Sequence, residues 1–576
     1  MTKLQKIISI IRFSNSRNIV YFICLSGLVS LSALFDLVGI SLLAPIIINV
    51  TDIGMSIDNE FRSGVLSWLI MFFDEFDLFN LLSIFVGVFI AKAIYNTVVY
   101  YLQSWCCFNL QANISEKLVS KYLSLSPDKF YRNDTNDYIR NCIQETDQFN
   151  FSVLMSILSL TSEVVVCLCL LSLMFFIDPT VAGVVALLAM ALAFIFIWGL
   201  KPYLVRLGEA RQLNFGKRLK VLRQSLDGFK EIKISQRADM FLKEYTKYNR
   251  LGNHSNYTAH WLSQLPRFWM ELSAAMIIFA TMYIFSTRGI FGSELIAILG
   301  IYVASAVRIM PSVSRITSSV NYLAYSDPVI DLLMREIETQ VSKTQIIDKY
   351  VAKADSSCFL GIIDGKYRHD DSKDWQLEID LLEIRRGEKV FVYGPSGGGK
   401  TTLIDLLIGF KRLDSGYLLS SNQVYGNYDT VSWENFSYCS QFPYIFDKSI
   451  DFNITIEEDD VDYFKLQKVK EIAHIDDLHE GLSRGVDDTV GEVEYRLSGG
   501  QKQRIGIARA LYKNNVEIYV FDEITSNLDE SLSNNLVIKV LESLKDKTVI
   551  FVSHDLSLAS NFDTVYEVKN GTIHPK

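Results

Sequence analysis

The chain is short of charge. Only 21% of its 576 residues are Asp, Glu, Lys or Arg, against 49% hydrophobic. That balance excludes an ordinary soluble enzyme of this size and fits an integral membrane protein carrying a soluble part. Positive charge is not in excess either. The formal net charge is −9, which removes the electrostatic footprint of a nucleic-acid binder. Zinc motifs are missing: the eight cysteines, Cys24, Cys106, Cys107, Cys142, Cys167, Cys169, Cys358 and Cys439, form no C-x-x-C pair and have no histidine at zinc-ligand spacing. Several lie in apolar segments, where cysteine acts as a small hydrophobe. Free thiols, no cysteine-bound metal and no structural disulfide are expected. A small-residue cleavage site is also lacking behind Lys3, Lys6, Arg12 and Arg17, and the apolar stretch that follows is longer than a signal-peptide core. It is expected to be retained as a first span.

Long apolar runs are present instead. About 20 apolar residues cross a bilayer, and six segments qualify: 18–50, 79–105, 151–177, 180–200, 264–286 and 291–313. The connections 106–150 and 201–262 are basic, whereas 51–78 is acidic, with Asp52, Asp58, Glu60, Asp74, Glu75 and Asp77 against Arg62. Because positive residues stay inside, the N-terminus, both basic connections and the C-terminal half are expected in the cytoplasm, and the acidic segment outside. Within that segment Phe61, Val65, Trp68, Leu69, Phe72 and Phe76 recur at helical spacing. A helix over 61–76 would either lie in the membrane interface or cap the outer ends of neighbouring spans. From about residue 340, charged runs and β-alternation replace the apolar blocks. The expected organisation is an α-helical six-span transmembrane domain over 1–325, a linker over 326–345 and an α/β domain over 346–576.

The string GPSGGGKT at 394–401 fits the G-x-x-x-x-G-K-[ST] template and follows a strand-like run, Lys389-Val390-Phe391-Val392-Tyr393. In that context glycine amides cradle phosphates, Lys400 reaches the terminal phosphates, and the Thr401 hydroxyl faces Mg²⁺. The helix that follows aims its positive end at the anion.

A second string, LSGGQ at 497–501, opens the helical run QKQRIGIARAL. With both strings in order, the soluble half resembles the nucleotide-binding domain of ABC transporters, so the expected fold is a P-loop ABC ATPase domain behind the membrane half. The resemblance implies ATP and Mg²⁺. ATP contacts are implied at Tyr367, Gly394, Pro395, Ser396, Gly397, Gly398, Gly399, Lys400, Thr401, Thr402, Gln441, Ser498, Gly499, Gly500, Gln501, Asp529 and His554. Metal contacts are implied at Thr401, Gln441 and Asp522, and catalytic roles at Lys400, Gln441, Glu523 and His554. The buried run 518–523 ends in Asp522 and Glu523, two carboxylates at the carboxyl edge of a sheet, where α/β ligands bind. Asp522 is expected to hold the metal and Glu523 to polarise the attacking water. In the family, LSGGQ closes over ATP held by the opposite domain. The chain has one such domain, so a second copy is the simplest partner, with a different half-transporter as the alternative.

The membrane half resembles exporter-type half-transporters, and most nearly bacterial lipid-linked oligosaccharide flippases, through FIAKAIYNTVVYY, QLPRFWMELSA and AVRIMPSVSRI, each with a cation: Lys92, Arg267 and Arg308. Ionisable groups inside a membrane face a partner or a water-filled cavity. Two readings stand: a basic cavity for an anionic headgroup, such as a polyprenyl pyrophosphate, or structural pairs with Asp36, Glu163 and Glu271. The expected function is an ATP-driven flippase in the bacterial inner membrane that moves a lipid-linked oligosaccharide outward. The alternatives are a peptide, drug or lipid exporter on the same scaffold, or a non-transporting ATP-gated membrane regulator.

Overall fold

The computed structural model describes residues 1–43, 46, 77–131, 133–177, 179–287, 293–338, 358–368, 375–420, 423–425, 433–475 and 497–576. The expected helix over 61–76 and the end of the linker lie outside the described residues. The chain forms two compact units, Met1–Ser124 with Asn133–Gln340, and Leu125–Arg132 with Val341–Lys576.

The first unit is helical: α1 (Lys3–Ser14), α2 (Ser16–Ser41), α3 (Leu78–Leu123), α4 (Thr135–Phe176), α5 (Pro179–Asp227), α6 (Ala238–Thr287), α7 (Ser293–Tyr325) and α8 (Asp327–Glu338). Among the described residues, α2, α3, α4 and α5 are long and apolar enough to cross a membrane. Several helices run well past the apolar runs that predict them. At 1.5 Å per residue, the 49 residues of α5 extend about 74 Å, more than twice the hydrocarbon thickness. The basic stretches 106–123 and 201–227 are therefore helical extensions rather than loops, because their polar residues still carry an apolar stripe: Leu110, Ile114 and Leu118 on α3 are fully buried. The α4 run contains two π-turns, Asn141–Glu145 and Asn150–Leu154. Glu145, the last residue of the first, is fully buried and pairs with Arg211 at 2.9 Å.

The second unit carries two sheets. An antiparallel one has the order β2-β1-β4-β5, from β1 (Cys358–Tyr367), β2 (Leu377–Arg385), β4 (Ser415–Ser420) and β5 (Gln423–Tyr425). The larger has the order β10-β9-β3-β8-β7-β6, from β3 (Lys389–Tyr393), β6 (Phe436–Cys439), β7 (Ile518–Asp522), β8 (Thr548–Val552), β9 (Thr564–Lys569) and β10 (Thr572–Pro575). Strands β6, β7, β8, β3 and β9 are parallel, and β10 returns antiparallel.

Strands β3, β7 and β8 are apolar on both faces, as central parallel strands must be. Val390, Val392, Val520, Ile550 and Val552 pack on one side, and Phe391, Phe521 and Phe551 on the other. Phe551 lies between Phe391 and Phe521, 6.2 Å from each ring, and 5.4 Å from Phe562. Phe551→Ala should remove about 3–5 kcal/mol from this unit, read as an earlier transition in thermal unfolding of the full protein, with the helical unit's transition unmoved.

Candidate functional site

Four parallel strands end on one edge of the larger sheet, and each delivers candidate side chains there. The phosphate loop follows β3, Gln441 follows β6, Asp522 closes β7 with Glu523 next, and His554 stands two residues past β8. Ligands bind at this edge of open α/β sheets because the connections diverge there.

The phosphate loop turns through left-handed backbone at Gly397 (φ +76°) and Gly399 (φ +105°), conformations that glycine adopts without a Cβ clash. It enters α9 (Lys400–Leu407) directly, so the loop amides and the positive end of the helix face the same space. Pro395, Ser396 and Thr401 are exposed and Thr402 is buried. Lys400 is buried. Its ammonium donates to the carbonyls of Gly394 at 3.0 Å and Pro395 at 3.1 Å, and lies 3.6 Å from Glu523 Oε1.

Asp522 is buried at the end of β7. Burial, then the charges of Glu523 and Asp405, push its carboxyl up to about 6, against the pull of Lys400 and the Tyr438 hydroxyl. Asp405, one turn into α9, is itself pushed up by burial although Lys411 pairs with it at 3.1 Å. This surplus of carboxylate is what a divalent cation relieves. Mg²⁺ needs only one or two protein carboxylates when phosphates supply the other oxygens, so the residues fit it. Among the described residues no group of three or more His, Cys, Asp or Glu is placed to hold a metal by itself.

Glu523 has left-handed backbone (φ +49°), unfavourable for a residue with a Cβ. Its N–H donates to Val552 O at 2.9 Å, and its carboxylate accepts from Gln441 Nε2 at 2.8 Å. Lys400, Gln441, Asp522 and Glu523 thus form one cluster. Tyr367 is half-buried with the Lys411 ammonium 5.6 Å from its ring. A second aromatic missed in the sequence, Trp375, precedes Gln376, whose N–H donates to Tyr367 O at 2.8 Å, and has the Arg368 guanidinium 4.9 Å from its ring. His554 is exposed.

LSGGQ lies elsewhere on the unit, past the helices α10 (Ile450–Thr455) and α11 (Tyr463–Ile472) in the chain. Ser498 caps α12 (Gly499–Tyr512) with a capping box, its Oγ accepting from Gln501 N at 3.3 Å while Gln501 Oε1 accepts from Ser498 N at 2.8 Å. The glycines face the 526–529 loop: a Cβ on Gly500 would stand 2.7 Å from Asn527 O. Asp529 is exposed at the cap of α13 (Glu530–Ser543). The structure therefore sorts the predicted ATP residues into two surfaces, the strand-end cluster and the LSGGQ turn with its neighbouring loop.

In the helical unit, the three cations proposed for cargo are not brought together. Lys92 and Arg308 both pair with buried Asp36, Arg308 at 2.8 Å. Arg308 also reaches Glu163 at 3.9 Å, which Arg315 holds at 2.5 Å. Arg267 instead faces a cleft of about 510 Å³ with Gln264, Glu271, Ser314, Arg315 and Ser318. Its contact with Glu271 is loose, 3.9 Å with both side chains 69% exposed. Arg315 joins the ion network to the cleft; its position two helical turns beyond Arg308 was the signal for it.

Residues 378–526 match the family described as ABC transporter, and 20–307 match the ABC transporter transmembrane region. The chain is 25% identical over 512 residues to an ATP-dependent lipid A-core flippase of Methylobacillus flagellatus, covering 86% of this chain and 83% of that protein. It is 26% identical over 497 residues, 82% of each chain, to an ATP-binding/permease protein of Staphylococcus aureus whose name proposes multidrug export. The solved structure of a bacterial Atm1-family ABC exporter with ATP bound superposes with a TM-score of 0.78 at 17% identity, over 97% of this chain and 94% of that one; this likeness concerns the fold.

The Asp522 carboxyl is raised above its ordinary 3.8, so folding is penalised by this group above about pH 6, and the penalty fades as the pH falls toward 4. Asp522→Asn should raise the unfolding temperature of nucleotide-free protein at pH 7.5, a gain on the order of 1–3 kcal/mol, while abolishing Mg²⁺-dependent ATP hydrolysis. An unchanged or lower unfolding temperature would contradict this assignment of the charge.

Proposed function

Given that the chain belongs to the ABC transporters, whose ATP hydrolysis drives transport, we propose that it is a six-span half-transporter of the bacterial inner membrane that pairs with a second copy and exports an anionic, lipid-linked glycan. The proposed domains are a transmembrane part over 1–325, a linker over 326–345 and an ATPase over 346–576, with the N-terminus and ATPase cytoplasmic. Helices α6 and α7 supply the fifth and sixth spans.

The observation that carries the ATPase reading is the convergence of Lys400, Gln441, Asp522 and Glu523 at the ends of three strands, β3, β6 and β7. The loop amides and Lys400 bind and orient the nucleotide's phosphates, freeing Lys400 from the carbonyls it now holds. Thr401, Gln441 and Asp522 would hold Mg²⁺, which supplies charge neutralisation on the phosphates. Glu523, fixed by Gln441, orients the attacking water and accepts its proton density; positioning and charge do the rest. His554 would contact the terminal phosphate, and Tyr367 would stack on the base. The LSGGQ turn packs on its own 526–529 loop rather than its own phosphate loop. That placement supports two composite sites, each completed by the partner's Ser498, Gly499, Gly500 and Gln501.

For cargo, the cleft beside α6 and α7 supports an anionic amphiphile. Arg267 and Arg315 supply charge, Gln264, Ser314 and Ser318 supply hydrogen bonds, and Met270, Met310 and Pro311 give apolar wall. The lipid A-core flippase relatives favour a glycolipid. The multidrug-export relative favours the second reading, a hydrophobic drug on the same scaffold, for which the arginines would be dispensable. Lys92 and Arg308 belong to the architecture in this reading, because both pair with buried Asp36 and neither lines the cleft.

Glu523→Gln should retain ATP binding and lose turnover by at least about 10²-fold, accumulating an ATP-bound dimer on size exclusion; hydrolysis at the wild-type rate would end the assignment. In proteoliposomes, Arg267→Ala with Arg315→Ala should abolish ATP-driven movement of a pyrophosphate-linked lipid glycan and leave basal hydrolysis in place. Drug transport surviving while no glycolipid moves in wild type would transfer the assignment to the second reading.

A further inference from the structure

One fully buried polar side chain has no part in the assignments above. Gln503, one turn into α12, is 0% exposed, in a stripe otherwise made of Ile507 and Ala510. Its Nε2 lies 3.1 Å from Ser526 Oγ, 3.3 Å from Gln441 O and 3.4 Å from Glu523 O. An amide has two N–H groups, so three acceptors compete for two donors. Its Oε1 is buried without a hydrogen-bond partner. Two of the three acceptors are backbone carbonyls, which fixes the amide with its nitrogen toward them. A buried glutamine with an unmatched oxygen costs stability, and a leucine of similar size would not carry that cost. The cost points to a positional duty.

The duty is visible in the geometry. Glu523 sits in left-handed backbone, which persists only when its surroundings hold it. Its peptide N–H is tied to Val552 O, and its carbonyl is reached by Ser526 N at 3.2 Å and by Gln503. Gln441, whose carbonyl Gln503 also holds, uses its own side chain to fix the Glu523 carboxylate. Gln503, Gln441 and Glu523 therefore close a ring through three separate elements: α12, the segment after β6 and the end of β7. The helix cannot drift from that ring. At Gly506, one turn on, a Cβ would stand 2.5 Å from Pro443 Cγ and 3.1 Å from Cys439 Sγ, so α12 and the Gln441 segment are packed as closely as backbone allows.

We propose that Gln503 is a positioning residue for hydrolysis: it holds the strained Glu523 turn and the Gln441 segment in register and makes the pose of the water-orienting carboxylate depend on where the LSGGQ helix sits. The proposal rests on the assignment of Glu523 above, which the Glu523→Gln variant tests separately.

The test is the steady-state kinetics of ATP hydrolysis by full-length protein in lipid nanodiscs, with folded protein quantified by nucleotide binding. Gln503→Met keeps length and volume and removes the donor. The expected result is a kcat lowered about 10- to 100-fold with the KM for ATP within twofold of wild type. Ser526→Ala, an exposed position that tolerates the change, is expected to lower kcat about threefold. The double variant should be no slower than Gln503→Met, because both act through one network. A kcat for Gln503→Met within twofold of wild type, a rise in KM that accounts for the loss, or independent multiplication of the two effects would each overturn the proposal. If Gln503→Met does not fold, Ser526→Ala decides alone, a wild-type kcat overturning the proposal and a lowered kcat at constant KM supporting it. If Glu523→Gln hydrolyses normally, the premise fails rather than the ring.

Discussion

The second unit depends on one constraint: its central strands are buried on both faces. β3, β7 and β8 have no solvent side along their length, so polar groups are expelled to their ends. Parallel pairing then gathers all the carboxyl ends on one edge, and the phosphate loop, Gln441, Asp522, Glu523 and His554 follow from that gathering. The raised Asp522 carboxyl and the left-handed Glu523 are its local costs. A carboxylate pair at the tip of a dry strand is poorly solvated and mutually repelling until a counter-charge arrives, and a strand that must turn sharply there leaves its first loop residue in an unfavourable conformation.

The helical unit solves the opposite problem, since polarity there must be hidden along the helices. Asp36, Lys92, Arg308, Glu163 and Arg315 form one chain of charge across α2, α3, α4 and α7. Such chains are held together because removing one partner strands another. The same economy appears where Glu145 is buried against Arg211 and approached by Arg140 at 3.8 Å, with two π-turns nearby, the irregularities that often mark functional helices.

Much of this was legible in the residues. Hydropathy separated the helical half from the α/β half, and two glycine strings, at 394–401 and 497–501, pointed to the ATPase family. What escaped is instructive. Apolar runs underestimate helix length, because a polar helix continuing beyond a span has no hydropathy signal, only a stripe such as Leu110, Ile114 and Leu118. Cations at membrane depth and the acids Asp36, Glu163 and Glu271 that could pair with them are legible, but which pairs form is not: Asp36 is far from Arg308 in sequence, and only the fold shows that two of the three cations share one carboxylate. Gln503 was overlooked because it sits in a run dominated by the neighbouring motif; a single amide in the stripe shared with Ile507 and Ala510 was the available hint. Trp375 carries no motif of its own in the sequence, and only the pairing of its neighbour Gln376, whose N–H donates to Tyr367 O at 2.8 Å, places it near Tyr367.

The capping box at Ser498 has a consequence for how tightly an anion can be held there. Its reciprocal bonds already satisfy two of the donors that open α12, leaving the Gly499 and Gly500 amides, the Ser498 hydroxyl proton and the helix dipole. A surface with so few donors has weak affinity for free phosphate in solution. It gains occupancy only when the phosphate is delivered at high local concentration by a site that already grips the rest of the molecule. On the two-chain reading, the turn then works as a coincidence detector, insensitive to nucleotide alone and responsive to a loaded partner at close range.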